Sequence, residues 1–391
     1  MSSYLSASWV YLVNTAPLRN GIVAVSEDGT ITGVWTAEEG EALNLKGIKY
    51  YDGVLVPGLV NTHCHLELSH LAGKIAEHTG LPGFVQQVMQ QREAAEEEIQ
   101  EAMELADREM YENGIVATGD ISNQIYSKGV KVRSKLYYHT FVEAMGFNPG
   151  RAGEIIQRAV VVRDEFLPLR ATVVPHAPYS VSAELFEEIK KVSGAVHESV
   201  SIHNQETLEE NLFFESKQGH FLKLYEFLGL DIDFFEAKGR TSLQSYLPFL
   251  SGDVKTLLVH NTFTSGADVV FAQGKHQRLY WCLCPGANLY IENRLPDVDL
   301  LRDAGVTITL GTDSLASNHQ LSILAEMKVL QELKQVPFEE LLSWATLNGA
   351  AFLGIEAQFG SLEKGKRPGV NLVKGLKEGL ITAETSIERI I

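Results

Sequence analysis

Short apolar runs bounded by turn residues alternate with segments of helical period along most of this chain. Near the start, residues 9–13, 21–25 and 30–35 are rich in β-forming positions, and Glu27-Asp28-Gly29-Thr30 between the last two reads as a hairpin turn. Near the end, Gly365-Lys366-Arg367-Pro368-Gly369 turns into a strand at 370–374, and a further strand is expected from Ile381 onward. The middle carries eight candidate strands, at 58–63, 115–121, 135–143, 171–175, 200–203, 256–260, 279–284 and 306–311. The clearest helix between them runs from Phe84 to about Tyr111 and is closed by Asn113-Gly114. Eight strands alternating with helices predict an α/β fold, a parallel (β/α)8 TIM-like barrel rather than an open sheet. The β-rich ends predict a small composite β-sandwich domain, residues 1–54 with 355–391, beside a catalytic barrel at 55–354.

Composition then limits the partners. Of 391 residues, 50 are acidic and 33 basic, a formal charge of -17. Nucleic acid is excluded as a partner, because phosphate affinity needs clustered Lys and Arg. No apolar run of about 18 residues appears, so no membrane span is expected. The N-terminal segment lacks the charged start and apolar core of a signal peptide. Three cysteines are too few and odd in number for a disulfide framework. The expectation is a soluble cytoplasmic protein.

Candidate chemistry lies at the ends of the predicted strands. The 58–63 strand runs into His63-Cys64-His65. Side chains two apart on a strand share a face, so His63 and His65 can address one metal ion while Cys64 points away. The plainer alternative is two incidental histidines at a loop mouth. Another strand ends in His203, with Glu206 three residues on; others end in His260 and Asp313. The C-terminal strand ends of a barrel form one rim, so these distant residues are expected to converge there. Other motifs fail on inspection. Gly360-x4-Gly365-Lys366 imitates a phosphate loop but continues with Arg367 and precedes a strand. His65-Leu66-Glu67 lacks the Pro-Cys-x-x-Cys partner of cytidine-type deaminases. Cys282 and Cys284 read as small core residues, and the acidic run at 93–109 as a solvated helix face.

At these residues the chain resembles the amidohydrolase superfamily, in its mononuclear branch of purine-type deaminases and s-triazine chlorohydrolases. The matching elements are Pro57-Gly58 before His63-x-His65, His176-Ala177-Pro178-Tyr179-Ser180, His203-x-x-Glu206, His260, Cys284-Pro285-x-x-Asn288 and Gly311-Thr312-Asp313-Ser314. One departure is Arg367-Pro368-Gly369-Val370-Asn371-Leu372, where an Ala-Asp-Leu-Val sequence is usual. The resemblance implies one divalent metal ion, Zn2+ by default with Fe2+ suited to the same ligands, held by His63, His65, His203 and Asp313. The bridging carboxylated Lys of binuclear members is absent from Thr172-Val173-Val174-Pro175-His176. A bound divalent cation lowers the pKa of its water from about 15.7 toward 7. The implied roles are Asp313 as acceptor of the water proton, His260 as orienting group and Glu206 as proton shuttle. Glu67, His176, Asn288 and Ser314 are the implied substrate contacts.

The setting of Glu67, His-Leu-Glu-Leu-Ser followed by Gly80-Leu81-Pro82-Gly83-Phe84-Val85 and Arg92, resembles aminofutalosine deaminases. The expected reaction is therefore hydrolytic deamination of a small heterocycle, a 6-aminopurine nucleoside, with aminodeoxyfutalosine leading. Guanine or pterin deamination and triazine dechlorination are the alternatives within the branch; a non-catalytic barrel scaffold is the remote one. A homo-oligomer, dimer or higher, is implied by the same branch. Residues 212–239 are dense in Phe and Tyr, which suits either a helical subdomain or dimer contact, or a lid that stacks on a purine.

Overall fold

The computed structural model describes residues 2–193 and 199–391. Five strands open the chain: β1 (Ser3–Val10), β2 (Leu18–Arg19), β3 (Ile22–Val25), β4 (Ile31–Trp35) and β5 (Ile48–Pro57). Eight follow, each entered from a helix or loop: β6 (Leu59–Cys64), β7 (Ile115–Ser122), β8 (Tyr137–Ala144), β9 (Arg170–Pro175), β10 (Ser199–Asn204), β11 (Lys255–His260), β12 (Leu279–Leu283) and β13 (Thr307–Leu310). Two close the chain, β14 (Val370–Lys374) and β15 (Ser386–Arg389).

The first five and last two strands share one sheet, ordered β15-β14-β5-β1-β3-β4 with β2 on β1. The chain ends thus meet through β14, antiparallel to β5 with Val370 opposite Pro57. The Arg367-Pro368-Gly369 departure lies in the turn just before this ladder and leaves its register intact. Gly58 alone separates β5 from β6, and a Cβ there would stand 2.5 Å from the Pro368 carbonyl. Only glycine lets the sheet feed straight into the next element at that approach.

β6 to β9 and β10 to β13 form two parallel runs. The seams are joined at the rim. The His203 N–H donates to the His176 carbonyl at 3.0 Å, and Cys64 bridges Asp313 in parallel register. The result is the TIM-type barrel. Every residue of β6, β7 and β10 is buried, as expected of parallel strands covered on both faces.

Three local expectations shift. β1 begins at Ser3 rather than residue 9, and the last strand begins at Ser386 rather than Ile381. The single helix expected over 84–111 is two, Gly80–Gln91 and Glu96–Glu112. His70 Nε2 donates to the Arg92 carbonyl at 3.0 Å, a tertiary bond that ends the first helix where the local pattern would continue it. The aromatic segment supplies the helices Leu208–Ser216 and Phe221–Phe227. They pack on the barrel through Phe147, whose ring stacks on Tyr225 at 5.2 Å, while Phe213 stacks on Phe235 at 4.4 Å.

Candidate active site

β6 delivers His63 within the strand and His65 just past it, β10 delivers His203, β11 ends in His260, and Asp313 follows β13 by three residues. All are buried or nearly so: His63 is 0 % exposed, His203 and Asp313 each 5 %. Their ligating atoms converge. His65 Nε2 lies 3.1 Å from His63 Nε2 and 3.3 Å from His203 Nε2. Asp313 Oδ1 lies 3.6 Å from His63 Nε2 and 3.4 Å from His65 Nε2.

These separations test whether a cation fits. A four-coordinate zinc centre with bonds of about 2.0–2.1 Å has ligand–ligand edges of about 3.3 Å. The donor set matches that spacing, and neutral imidazoles packed nitrogen to nitrogen have no other partner to offer each other. Burial pushes His65 down to about 3 and His203 to about 4, and lowers His63 as well. All three are therefore unprotonated near neutrality, the form that binds a metal. The tautomer is fixed at His203, whose Nδ1–H donates to the His176 carbonyl at 2.7 Å and so leaves Nε2 with a free lone pair. The Asp313 carboxyl is held well below its usual range by the surrounding histidines, against the opposing effect of burial. Ser317 donates to its Oδ2 at 2.7 Å, which leaves Oδ1 to the cluster.

Glu206 and His260 face one another beside this group, with His260 Nε2 3.6 Å from Glu206 Oε1. Asn288 Nδ2 approaches His260 Nδ1 at 3.4 Å, which makes Nε2 the N–H of the ring. That Nε2 is buried without a hydrogen-bond partner among the described residues. Burial raises the Glu206 carboxyl well above its usual value, and Asp313, Glu210 and Glu292 raise it further. A buried neutral carboxylic acid opposite an imidazole N–H, next to a cation-sized cage, can give and take protons in a chamber that excludes water.

The expected substrate contacts divide. Two residues past His65, Glu67 does not lie on continuing strand. The chain instead enters the short 3-10 helix Leu66–Leu71, because the Asp120 carboxylate takes the Leu66 N–H at 2.8 Å. Glu67 still reaches the rim, where its Oε2 accepts the Asn123 and Gln124 N–H groups at 3.0 and 3.3 Å. Burial pushes its carboxyl up to about 7. His176 acts through both ends: its carbonyl orients His203, and its Nδ1 bonds the Ser180 hydroxyl at 2.6 Å. Asn288 also donates to Thr262 Oγ1 at 2.6 Å, and Ser314 pairs with the Ser317 hydroxyl at 3.0 Å. Asn288 Nδ2 and the Ser314 hydroxyl thus bond protein partners beside His260 and Asp313, while Asn288 Oδ1 is buried with no hydrogen-bond partner among the described residues.

Sequence reasoning missed Glu143. It ends β8 with Oε1 3.5 Å from His203 Nδ1, accepts from Asn123 Nδ2 at 3.1 Å, and is pushed by burial to about 8. The signal was present, since a charged residue closing an apolar strand is what singled out His203 and His260. Glu67 and Glu143 both border a cavity of about 710 Å³, whose lining also includes Arg92, Tyr126, Arg158, Ile155 and Val162.

The family model described as "Amidohydrolase family" matches residues 54–388. An adenosine deaminase of Helicobacter pylori is 26% identical over 332 residues, covering 83% of this chain and 80% of that protein. A 5-methylthioadenosine/S-adenosylhomocysteine deaminase of Teredinibacter turnerae is 28% identical over 340 residues, 81% of this chain and 71% of that one. Among solved structures, Helicobacter pylori aminofutalosine deaminase in complex with methylthio-coformycin superposes over 100% of both chains with a TM-score of 0.83 at 22% identity.

Proposed function

The chain belongs to the amidohydrolase family, as a hydrolase of C–N bonds, and we propose that it replaces the exocyclic amino group of a 6-aminopurine nucleoside by oxygen, releasing ammonia. The observation that carries this reading is the buried Glu206–His260 pair beside the His63, His65, His203 and Asp313 cluster. The relatives named for adenosine and methylthioadenosine deamination support the substrate class.

His63, His65, His203 and Asp313 would hold one divalent ion, zinc by preference. When bound, it would make a water acidic enough to attack carbon at neutral pH. Asp313 takes the proton of the attacking water, since its carboxyl stays ionised and its Oδ1 faces the cluster. His260 donates its Nε2–H to the developing negative charge. Glu206, kept in its acid form by burial, protonates the ring nitrogen next to the attacked carbon. It then receives the proton held by Asp313 and passes it to the departing amine, and the hydroxyl left on the attacked carbon gives up its proton to restore the acid form of Glu206.

The cavity behind Glu67 and Glu143 supports a nucleoside with a substituent beyond the ribose. Glu67 and Glu143 can accept from paired ribose hydroxyls, and the mixed lining of Arg92, Arg158, Tyr126, Ile155 and Val162 suits a substituent with both polar and apolar parts. Aminodeoxyfutalosine is the leading candidate on that ground. The test is ammonia release by metal-quantified protein with aminodeoxyfutalosine, adenosine, S-adenosylhomocysteine, methylthioadenosine, guanine and a chlorotriazine. One adenine nucleoside turned over with kcat/KM above roughly 10⁴ M⁻¹s⁻¹ is expected. Turnover confined to guanine or the triazine would overturn the nucleoside reading.

A further inference from the structure

Glu210 sits in the first turn of the Leu208–Ser216 helix, four residues after Glu206, with no exposed surface. Its Oε1 accepts the backbone N–H of Gln205 at 3.0 Å and the Ser242 hydroxyl. Its Oε2 has no hydrogen-bond partner among the described residues. Gln205 is held at φ +44°, in the left-handed region that disfavours a non-glycine residue. Its side chain is pinned as well: Nε2 donates to Asn211 Oδ1 at 3.0 Å and to Asp268 Oδ2 at 3.1 Å, and Oε1 accepts the Thr264 hydroxyl at 2.7 Å. The turn that presents Glu206 is therefore clamped from both sides by buried polar groups, none of which reaches the reacting centre.

A glutamine at 210 would keep the acceptor that Gln205 and Ser242 use. A negative charge there is what such a contact does not require. We infer that Glu210 is a positioning residue for Glu206, acting through the Gln205 backbone and through the field of its own buried carboxyl. The inference rests on Glu206 being the proton carrier proposed above.

The electrostatics run in the direction this needs. Glu206 is faced by His260, Asp313, Glu210, Glu292 and the Tyr179 hydroxyl, and after burial itself the three carboxyls are what raise it. Glu210 is faced by Ser242, Tyr225 and Tyr246 besides the Gln205 and Glu206 backbone. Burial lifts it to about 7, while the Ser242 hydroxyl and those backbone N–H groups hold it down against that lift. Near and above neutrality its charge therefore opposes ionisation of Glu206, and Glu206 keeps its proton until the ring nitrogen takes it.

The decisive variant is Glu210→Gln, which keeps shape and removes charge. Its ammonia release with aminodeoxyfutalosine and with methylthioadenosine should show an unchanged KM and a kcat lowered about tenfold, less than the roughly 10²–10⁴ expected for loss of the proton carrier itself. The alkaline limb of its kcat/KM profile should move down by about 1 pH unit, because a nearby like charge has gone. Ser242→Ala removes a donor that stabilises the Glu210 charge, so it should move the same limb in the same direction if Glu210→Gln fails to fold. Metal content and thermal midpoint are measured in parallel. A wild-type pH profile in a folded, metal-replete Glu210→Gln or Ser242→Ala protein overturns the inference, even if the thermal midpoint falls. Glu206→Gln separates the two levels: if it is inactive while Glu210→Gln is unaltered, only Glu210 is misassigned. If Glu206→Gln keeps its turnover, both assignments fall.

Discussion

Gln205, His260, Asn261 and Asp313 are all non-glycine residues at positive φ, between +44° and +74°. Each such conformation costs on the order of 1–3 kcal/mol and persists only where surrounding bonds over-determine it. Here those bonds are visible. The Asp313 N–H is held by the His63 carbonyl at 3.1 Å, and Asn261 Nδ2 donates to the Leu258 and Cys282 carbonyls at 2.8 and 3.1 Å. The strain gathers where strand becomes loop, and it turns Glu206, His260 and Asp313 inward rather than along the strand. Among these, Glu206 is the residue whose loss should separate chemistry from metal binding, because it is no part of the nitrogen and oxygen cage. Replacing it with Gln removes only the transferable proton, so kcat/KM should drop by about 10²–10⁴-fold with metal content unchanged. Near wild-type ammonia release from a metal-replete protein would show that another group carries the proton.

Strands set the distances between ligands, so close packing between strands should control metal affinity without touching a ligand. Gly311, at the end of β13, is the sharpest case. A Cβ there would meet His63 Cβ at 2.8 Å, Cys282 Sγ at 2.9 Å and the His63 carbonyl at 2.9 Å. None of these atoms is the far end of a flexible chain. Gly311→Ala should therefore displace β6 and cost about 1–3 kcal/mol of stability, as overpacking does. Metal occupancy should fall at limiting zinc, read by metal analysis after dialysis against a weak chelator; unchanged occupancy would mean that β6 can shift without moving His63. Strands such as Lys255–His260 and Ser199–Asn204 were legible as largely apolar runs reaching a polar residue, and the ligands were legible because His or Asp stands at or just past such strand ends. Other features were not. The break after Gln91 depends on His70, more than twenty residues away, and the 3-10 turn that redirects Glu67 depends on Asp120 in the next strand. A buried carboxyl such as Glu210 reads as a solvated charge in any local window, since burial is decided by neighbours distant in sequence.

At the scale of the molecule, the same buried groups give stability a pH dependence of definite sign. In the metal-free protein, burial lowers His65 to about 3 and His203 to about 4, and these must stay neutral to fold. Below 6.5 the unfolded chain binds protons that the fold rejects, so stability rises with pH up to that value and these residues add no slope above it. Buried carboxyls act oppositely. Glu67 and Glu210 are pushed up to about 7, Glu143 and Glu326 to about 8, all chiefly by burial. Their protonated forms favour the fold. That contribution is complete below 4.5 and is lost as pH rises through 7 and 8. Above 6.5 only the carboxyl effect remains, so stability should fall between pH 6.5 and 8.5 by on the order of 1 kcal/mol per carboxyl. The thermal midpoint of chelated protein should drop over that interval. Glu326→Gln should reduce the drop, because Glu326 accepts the Gly286 N–H at 2.7 Å inside the fold and belongs to no ligand set. General repulsion from a net charge of -17 could imitate the trend, but exposed charges are screened by salt and buried ones are not. The decline should therefore survive in 0.5 M salt (a Debye length of roughly 4 Å). A midpoint that stays level there from pH 6.5 to 8.5 would show that these carboxyls are not held protonated by the fold.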